Sequence, residues 1–168
     1  VAFSVFIGNI CIAAVGTNGA NSRYFMKNRL NFGWIGLLGA VAFTLQAADW
    51  PLFRGDRGLT GAAAGKLPEK LSLLWKFDAK GPVKASAVIA NGMAYVGGDD
   101  DGKKGLKGKL YAIDLATGKQ AWDFTCNDPI EASAMVLDGR VYAGSVDGFV
   151  YALDAKTGEE LWKFETGD

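Results

Sequence analysis

The second half of the chain alternates short apolar bursts with Gly, Asp and Asn, and the bursts come in sets of four. In one set, about Ala132–Leu137, Arg140–Gly144, Phe149–Asp154 and Glu160–Phe164 are rich in Val, Tyr, Phe and Trp. Such runs, punctuated by turn residues, predict four strands. The punctuation is specific. Asn91-Gly92 and Asp138-Gly139 stand at equivalent places and suit a two-residue type I′ hairpin, which needs positive φ at both positions. Thr117-Gly118 and Thr157-Gly158 mark a later turn with Gly in the left-handed position. Asp114 and Asp154 precede it, where their side chains can accept backbone N–H groups of the turn. The whole phrase Ala112–Trp122 returns 40 residues on as Ala152–Trp162, with the pattern A-x-D-x-x-T-G-x-x-x-W. Tyr111 and Tyr151 precede it, and Phe124 and Phe164 follow. An earlier copy is legible in Leu74–Phe77, Val83–Ala87 and Asn91–Gly97, with 47 residues between Trp75 and Trp122. A period near 40 made of short strands predicts an all-β fold, a β-propeller of four-stranded antiparallel blades with about two blades present.

Trp75, Trp122 and Trp162 recur at one place in each unit. A binding residue is seldom needed identically in every blade, so these side chains are read as packing on the neighbouring blade, where each buries about 150–250 Å². The seven residues that lengthen the earlier spacing fall between Gly97 and Gly108. The insertion, Gly98–Lys107, is expected to lengthen one loop and leave the strands alone.

The recurring phrase, carried by Asp114, Thr117, Gly118, Trp122 and again by Asp154, Thr157, Gly158, Trp162, with Trp75 as a third docking residue, resembles the tryptophan-docking motif of the pyrroloquinoline quinone (PQQ) repeat propellers. The resemblance covers about Leu71–Asp168. A second, looser one lies in Trp50–Gly55 with Gly58–Gly61, similar to the lead-in of secreted members. It implies a ring of seven or eight blades, about 280–320 residues of repeat, so the chain is expected to be the N-terminal part of a longer protein. The family includes quinoprotein alcohol dehydrogenases, a lipoprotein of outer-membrane protein assembly, and secreted propellers without known chemistry. Two family features are missing. No adjacent cysteine pair of the dehydrogenase kind occurs, and no Cys follows the expected cleavage site as a lipoprotein requires.

Ahead of the repeats, Met26-Lys27-Asn28-Arg29 leads into an apolar run from Phe32 to Leu45 and then Gln46-Ala47-Ala48. Basic start, short apolar stretch and small residues at the cut describe a secretory signal peptide; the run is shorter than the roughly 20 residues of a spanning helix. Residues 26–48 are therefore expected to be removed, with an uncleaved anchor as the alternative. Residues 1–25 are an upstream or poorly defined segment, 49–70 a lead-in and 71–168 the repeats. The expected location is exported: periplasmic, envelope or extracellular. From Asp49 onward there are 15 basic and 18 acidic residues, a net charge of −3, which argues against nucleic acid as a partner. A membrane contact is expected only through an uncleaved signal segment.

The chain has no His, which removes Ser-His-Asp catalysis and imidazole metal ligation from this segment. Cys126 stands alone downstream of the signal segment, free to pair elsewhere or to stay free near the blade surface. Asp99-Asp100-Asp101 is the one acidic cluster, a weak calcium candidate without the alternating spacing of an EF-hand loop. Lys103, Lys104, Lys107 and Lys109 beside it read as a solvated loop, Ser86 and Ser133 as small packing residues, and Asp147-Gly148 as a turn. No catalytic residue is assigned and no cofactor is expected. The expected function is a non-catalytic binding or scaffold module that meets a protein or envelope partner through loops on a propeller face. The alternative is the N-terminal part of a quinoprotein dehydrogenase using PQQ with calcium.

Overall fold

The computed structural model describes residues 49–63, 72–100 and 107–167, and the backbone of 10–12. Residues 26–48, expected to be a signal peptide, and Asp101, Lys103 and Lys104 lie outside the described residues. Among the described residues no helix is long and apolar enough to cross a membrane.

Two four-stranded antiparallel sheets form the body. The first runs β3 (Val88–Ala90), β4 (Met93–Asp99), β5 (Gly108–Asp114), β6 (Gln120–Cys126); the second runs β7 (Met135–Leu137), β8 (Arg140–Gly144), β9 (Phe149–Asp154), β10 (Glu160–Glu165). Strands neighbour one another in chain order, the up-and-down meander of a propeller blade. Ahead of them β2 (Trp75–Phe77) pairs antiparallel with β1 (Ile10–Ile12), in register Ile10↔Phe77. The strand expected over Ala132–Leu137 is confined to β7.

The hairpins have the expected geometry. Asn91 and Gly92 have φ of 52° and 76°, and Asp138 and Gly139 have 49° and 72°, the two positive values of a type I′ turn. The insertion behaves differently from the expectation. Gly98 and Asp99 are not loop: they extend β4 and pair with Lys109 and Gly108. β4 therefore has 7 residues where β8 has 5. Extra hairpin length lets the backbone groups of Gly98 and Asp99 join the ladder instead of standing unpaired.

Why β4 lacks a polar–apolar alternation follows from its place. Tyr95 points into the core between the two blades, with Val88, Leu110, Trp122 and Leu153. Ala94 and Val96 point the other way, into a second core with Ile89, Ile113 and the half-buried Trp50 and Trp75. A strand buried on both faces reads as a continuous apolar run. β10 is the opposite case, with every residue exposed.

Each outer strand carries an irregularity that spacing alone does not reveal. Ala112 pairs with Trp122 but Ile113 pairs with Gln120, so Ala121 is an extra residue; Leu161 is extra in the same way between Glu160 and Trp162. A bulge re-aims the side chain that follows it, here the docking tryptophan in both blades.

Trp122 is 8% exposed and Trp162 is 44% exposed. The expected inter-blade packing thus holds for Trp122 and, half-buried, for Trp75, and Trp162 does not share it, because no described residues beyond β10 cover it. In this chain Trp122→Ala is expected to cost about 3–5 kcal/mol, with Trp162→Ala costing a small fraction of that; urea unfolding of the two variants measures the contrast.

Candidate functional site

Two polar centres lie at opposite ends of the strands. At the hairpin end, Asp114 Oδ1 accepts the backbone N–H of Thr117 at 2.8 Å and its hydroxyl at 2.7 Å. Asp154 Oδ1 accepts the N–H groups of Lys156 and Thr157 at 2.8 and 2.9 Å. These bonds latch a turn that ends on Gly118 or Gly158, at φ of 71° and 77°. The turn aims a carbonyl outward. Leu115 O accepts Trp75 Nε1–H at 2.8 Å, and Ala155 O accepts Trp122 Nε1–H at 3.2 Å and the Tyr95 hydroxyl at 3.1 Å. Each indole lies flat on the turn glycine, and a Cβ at Gly118 or Gly158 would come within 2.5–2.6 Å of the ring. The motif residues are thus spent on holding blade to blade.

Thr117 bonding holds the Asp114 carboxyl below its ordinary range, and backbone N–H groups of Thr157 and Lys156 do the same for Asp154. A depressed folded-state value stabilises the fold above the unfolded value, near 3.8, and that contribution is lost as pH falls through the depressed value. Thermal melts between pH 5 and about pH 2 should show stability falling in acid, with a shallower fall in the Asp114→Asn, Asp154→Asn double variant.

At the other end, Lys84 and Glu131 occupy equivalent positions in successive units and meet across the seam, Nζ to Oε1 at 2.5 Å. Lys84 also faces Asp99 Oδ2 at 3.9 Å. The Glu131 hydrogen bond and charge, with a smaller push from Asp99, raise the Lys84 amine above its ordinary value. Asp99 is only 3% exposed and its Oδ1 has no hydrogen-bond partner. Ser133 Oγ accepts the N–H of Ser86, its counterpart, at 3.2 Å, so Ser133 links the blades and is more than a small filler. Asp99 is drawn to a lysine, and among the described residues no group of three acidic, thiol or imidazole side chains converges as a metal would need. Lys84→Met should lower the melting temperature by stranding the buried Asp99 carboxylate, and adding Asp99→Asn should recover much of the loss.

Beside this end, Asp147 is more than a turn residue. Its carboxylate accepts the Tyr151 hydroxyl at 2.7 Å and the N–H groups of Asn127 and Phe149 at 3.2 Å. Burial pulls the Asp147 carboxyl up, and these bonds more than offset it, leaving the value lowered. Cys126 is buried, not near the surface, and its thiol lies 3.2 Å from Asp128 O. Burial pushes that thiol up, away from the reactive thiolate. The Lys84–Glu131 and Ser86–Ser133 links had a signal in the sequence, the equivalence of their positions 47 residues apart. Asp99 had none, because its place depends on pairing with Gly108 and on the approach of Pro82 and Lys84.

Blades latched by indole, glycine turn and outward carbonyl define a tryptophan-docked β-propeller. Residues 68–168 match the family described as outer membrane protein assembly factor BamB, and the chain belongs to that family of PQQ-like repeat propellers. Among solved structures, the quinohemoprotein alcohol dehydrogenase from Comamonas testosteroni is similar at 25% identity and a TM-score of 0.57, over 71% of this chain and 19% of that one. A europium-containing methanol dehydrogenase matches at 20% identity and a TM-score of 0.56, over 72% and 23%. BamB from Moraxella catarrhalis matches at 23% identity and a TM-score of 0.49, over 57% and 28%. The chain thus spans well under a third of each of these proteins. No curated protein matches it.

Proposed function

We propose that this chain is part of an exported propeller that binds an envelope protein and does no chemistry of its own. The family match to an outer membrane assembly factor over both blades supports this reading most directly. The placement of polar groups supports it too. Asp114, Asp154, Thr117, Thr157, Lys84 and Glu131 are bonded to the turns or across the seam, which leaves loops to make contacts, as rigid scaffolds usually arrange. The connection between β4 and β5, residues 100–107, is longer than its counterpart at 145–148 and gives one blade a feature its neighbour lacks. It is the contact region we favour. Export rests on the layout of residues 26–48.

The test is chemical crosslinking in cells that make the protein with its native leader. Shortening 100–107 to the length of 145–148 should leave the protein folded and reduce crosslinking to its envelope partner severalfold. Undiminished crosslinking would remove the loop from the proposal, and retention of the protein in the cytoplasm would remove export.

The likeness to the alcohol and methanol dehydrogenases favours a second reading, a quinone-dependent dehydrogenase. In such an enzyme PQQ would carry the redox chemistry and the protein would orient it. Asp99 of the weak calcium cluster faces Lys84, and Asp101 lies outside the described residues. Dye reduction by alcohols on adding PQQ and Ca²⁺ to the purified protein would establish this reading; no reduction is the expected result.

A further inference from the structure

In a two-residue type I′ hairpin the residues flanking the turn form a hydrogen-bonded pair, and the next pair outward does not bond across. Ala90↔Met93 and Leu137↔Arg140 are the flanking pairs here. Ile89↔Ala94 and Val136↔Val141 come next, so the N–H groups of Ile89 and Val136 turn away from their own sheets. β3 and β7 are the first strands of their blades, and that outward edge is the channel side of a propeller. Ile89 and Val136 are equivalent, 47 residues apart.

Both N–H groups are taken by one short piece of chain. Ile89 N–H donates to Trp50 O at 2.8 Å, and Val136 N–H donates to Pro51 O, the next carbonyl along, at 2.7 Å. Trp50 N–H returns a bond to Ile89 O at 2.7 Å, and Asn91 N–H donates to the Asp49 carboxylate at 3.1 Å. Pro51 has no N–H to give and needs only to accept. The strap is anchored. The Trp50 ring packs on the second core and lies over Gly55, where a Cβ would sit 2.6 Å from it. The loop behind is held by Gly61 N–H to Arg54 O at 3.1 Å and by Thr60 to Asp56.

We propose that Asp49–Pro51 is a built-in strap that closes the channel-side edges of both blades at once. It serves the same N–H in each with consecutive carbonyls. An unpaired inner edge would accept any extended peptide; with the strap in place these two edges take none, and a partner must engage the protein elsewhere. The inference does not rest on the proposed partner or on the dehydrogenase reading.

Amide hydrogen exchange on the intact protein tests it. Ile89 and Val136 should exchange as slowly as amides of the β4–β5 ladder, about a hundredfold or more slower than free peptide. Fast exchange at either amide in the unaltered protein would overturn the proposal without any variant. Removing residues 49–55 should speed both amides while leaving those of β5 protected, and unchanged protection would overturn it too. A synthetic peptide with the sequence of residues 49–55 should restore protection in the shortened protein and fail to bind the intact one. Binding of that peptide to the intact protein would show the edges to be open.

Discussion

One contact governs this structure: an indole laid on a glycine, its N–H reaching a carbonyl of the next blade. Trp122 on Gly158 with Ala155 O, and Trp75 on Gly118 with Leu115 O, are the same contact repeated. Much else exists to present its two halves. The bulges at Ala121 and Leu161 turn the indole. The aspartate latch shapes the turn, and the left-handed glycine leaves room for the ring. Tyr95 rests against Trp122, ring centroids 5.7 Å apart, and shares its acceptor. Phe124 with Tyr151 and Phe77 with Tyr111 fill the same place in successive seams, at 5.0 and 5.4 Å. Trp162 and Tyr142 are already paired at 5.9 Å, and among the described residues no turn receives that indole.

Much of this was legible because it is local. Asn91-Gly92, Asp138-Gly139 and the Asp–Thr-Gly turns have their geometry written into residues that tolerate positive φ or bond their own backbone, and they fold as read. The tryptophans were legible through recurrence. What escaped depended on pairing between segments distant in sequence. The bulges are a matter of register between two strands, and neither Ala121 nor Leu161 marks them by residue type. Gly98 and Asp99 read as loop by composition, since Gly and Asp are poor strand formers, yet pairing with Lys109 and Gly108 holds them in β4. The strap was invisible for the same reason: Trp50-Pro51 reads as a lead-in until the outward N–H groups of two strands are set beside it.

The fold constrains function only loosely. Propellers of this repeat serve unrelated ends, and a site must be argued from its own residues. Here the repeat residues hold the blades together, the inner edges are covered by the chain's own strap, and the features that differ between blades gather at the end where Lys84, Asp99 and Glu131 meet.

The exchange of sign between Lys84 and Glu131 has a bearing on assembly. Units this alike can pack in wrong order or against a copy from another chain, a characteristic failure of repeat proteins. A lysine in one unit and a glutamate at the same place in the next make the correct neighbours attract. Two copies of the first unit, set side by side, would instead bring lysine against lysine, with no glutamate to share between them. The pair acts as an address label on otherwise interchangeable parts.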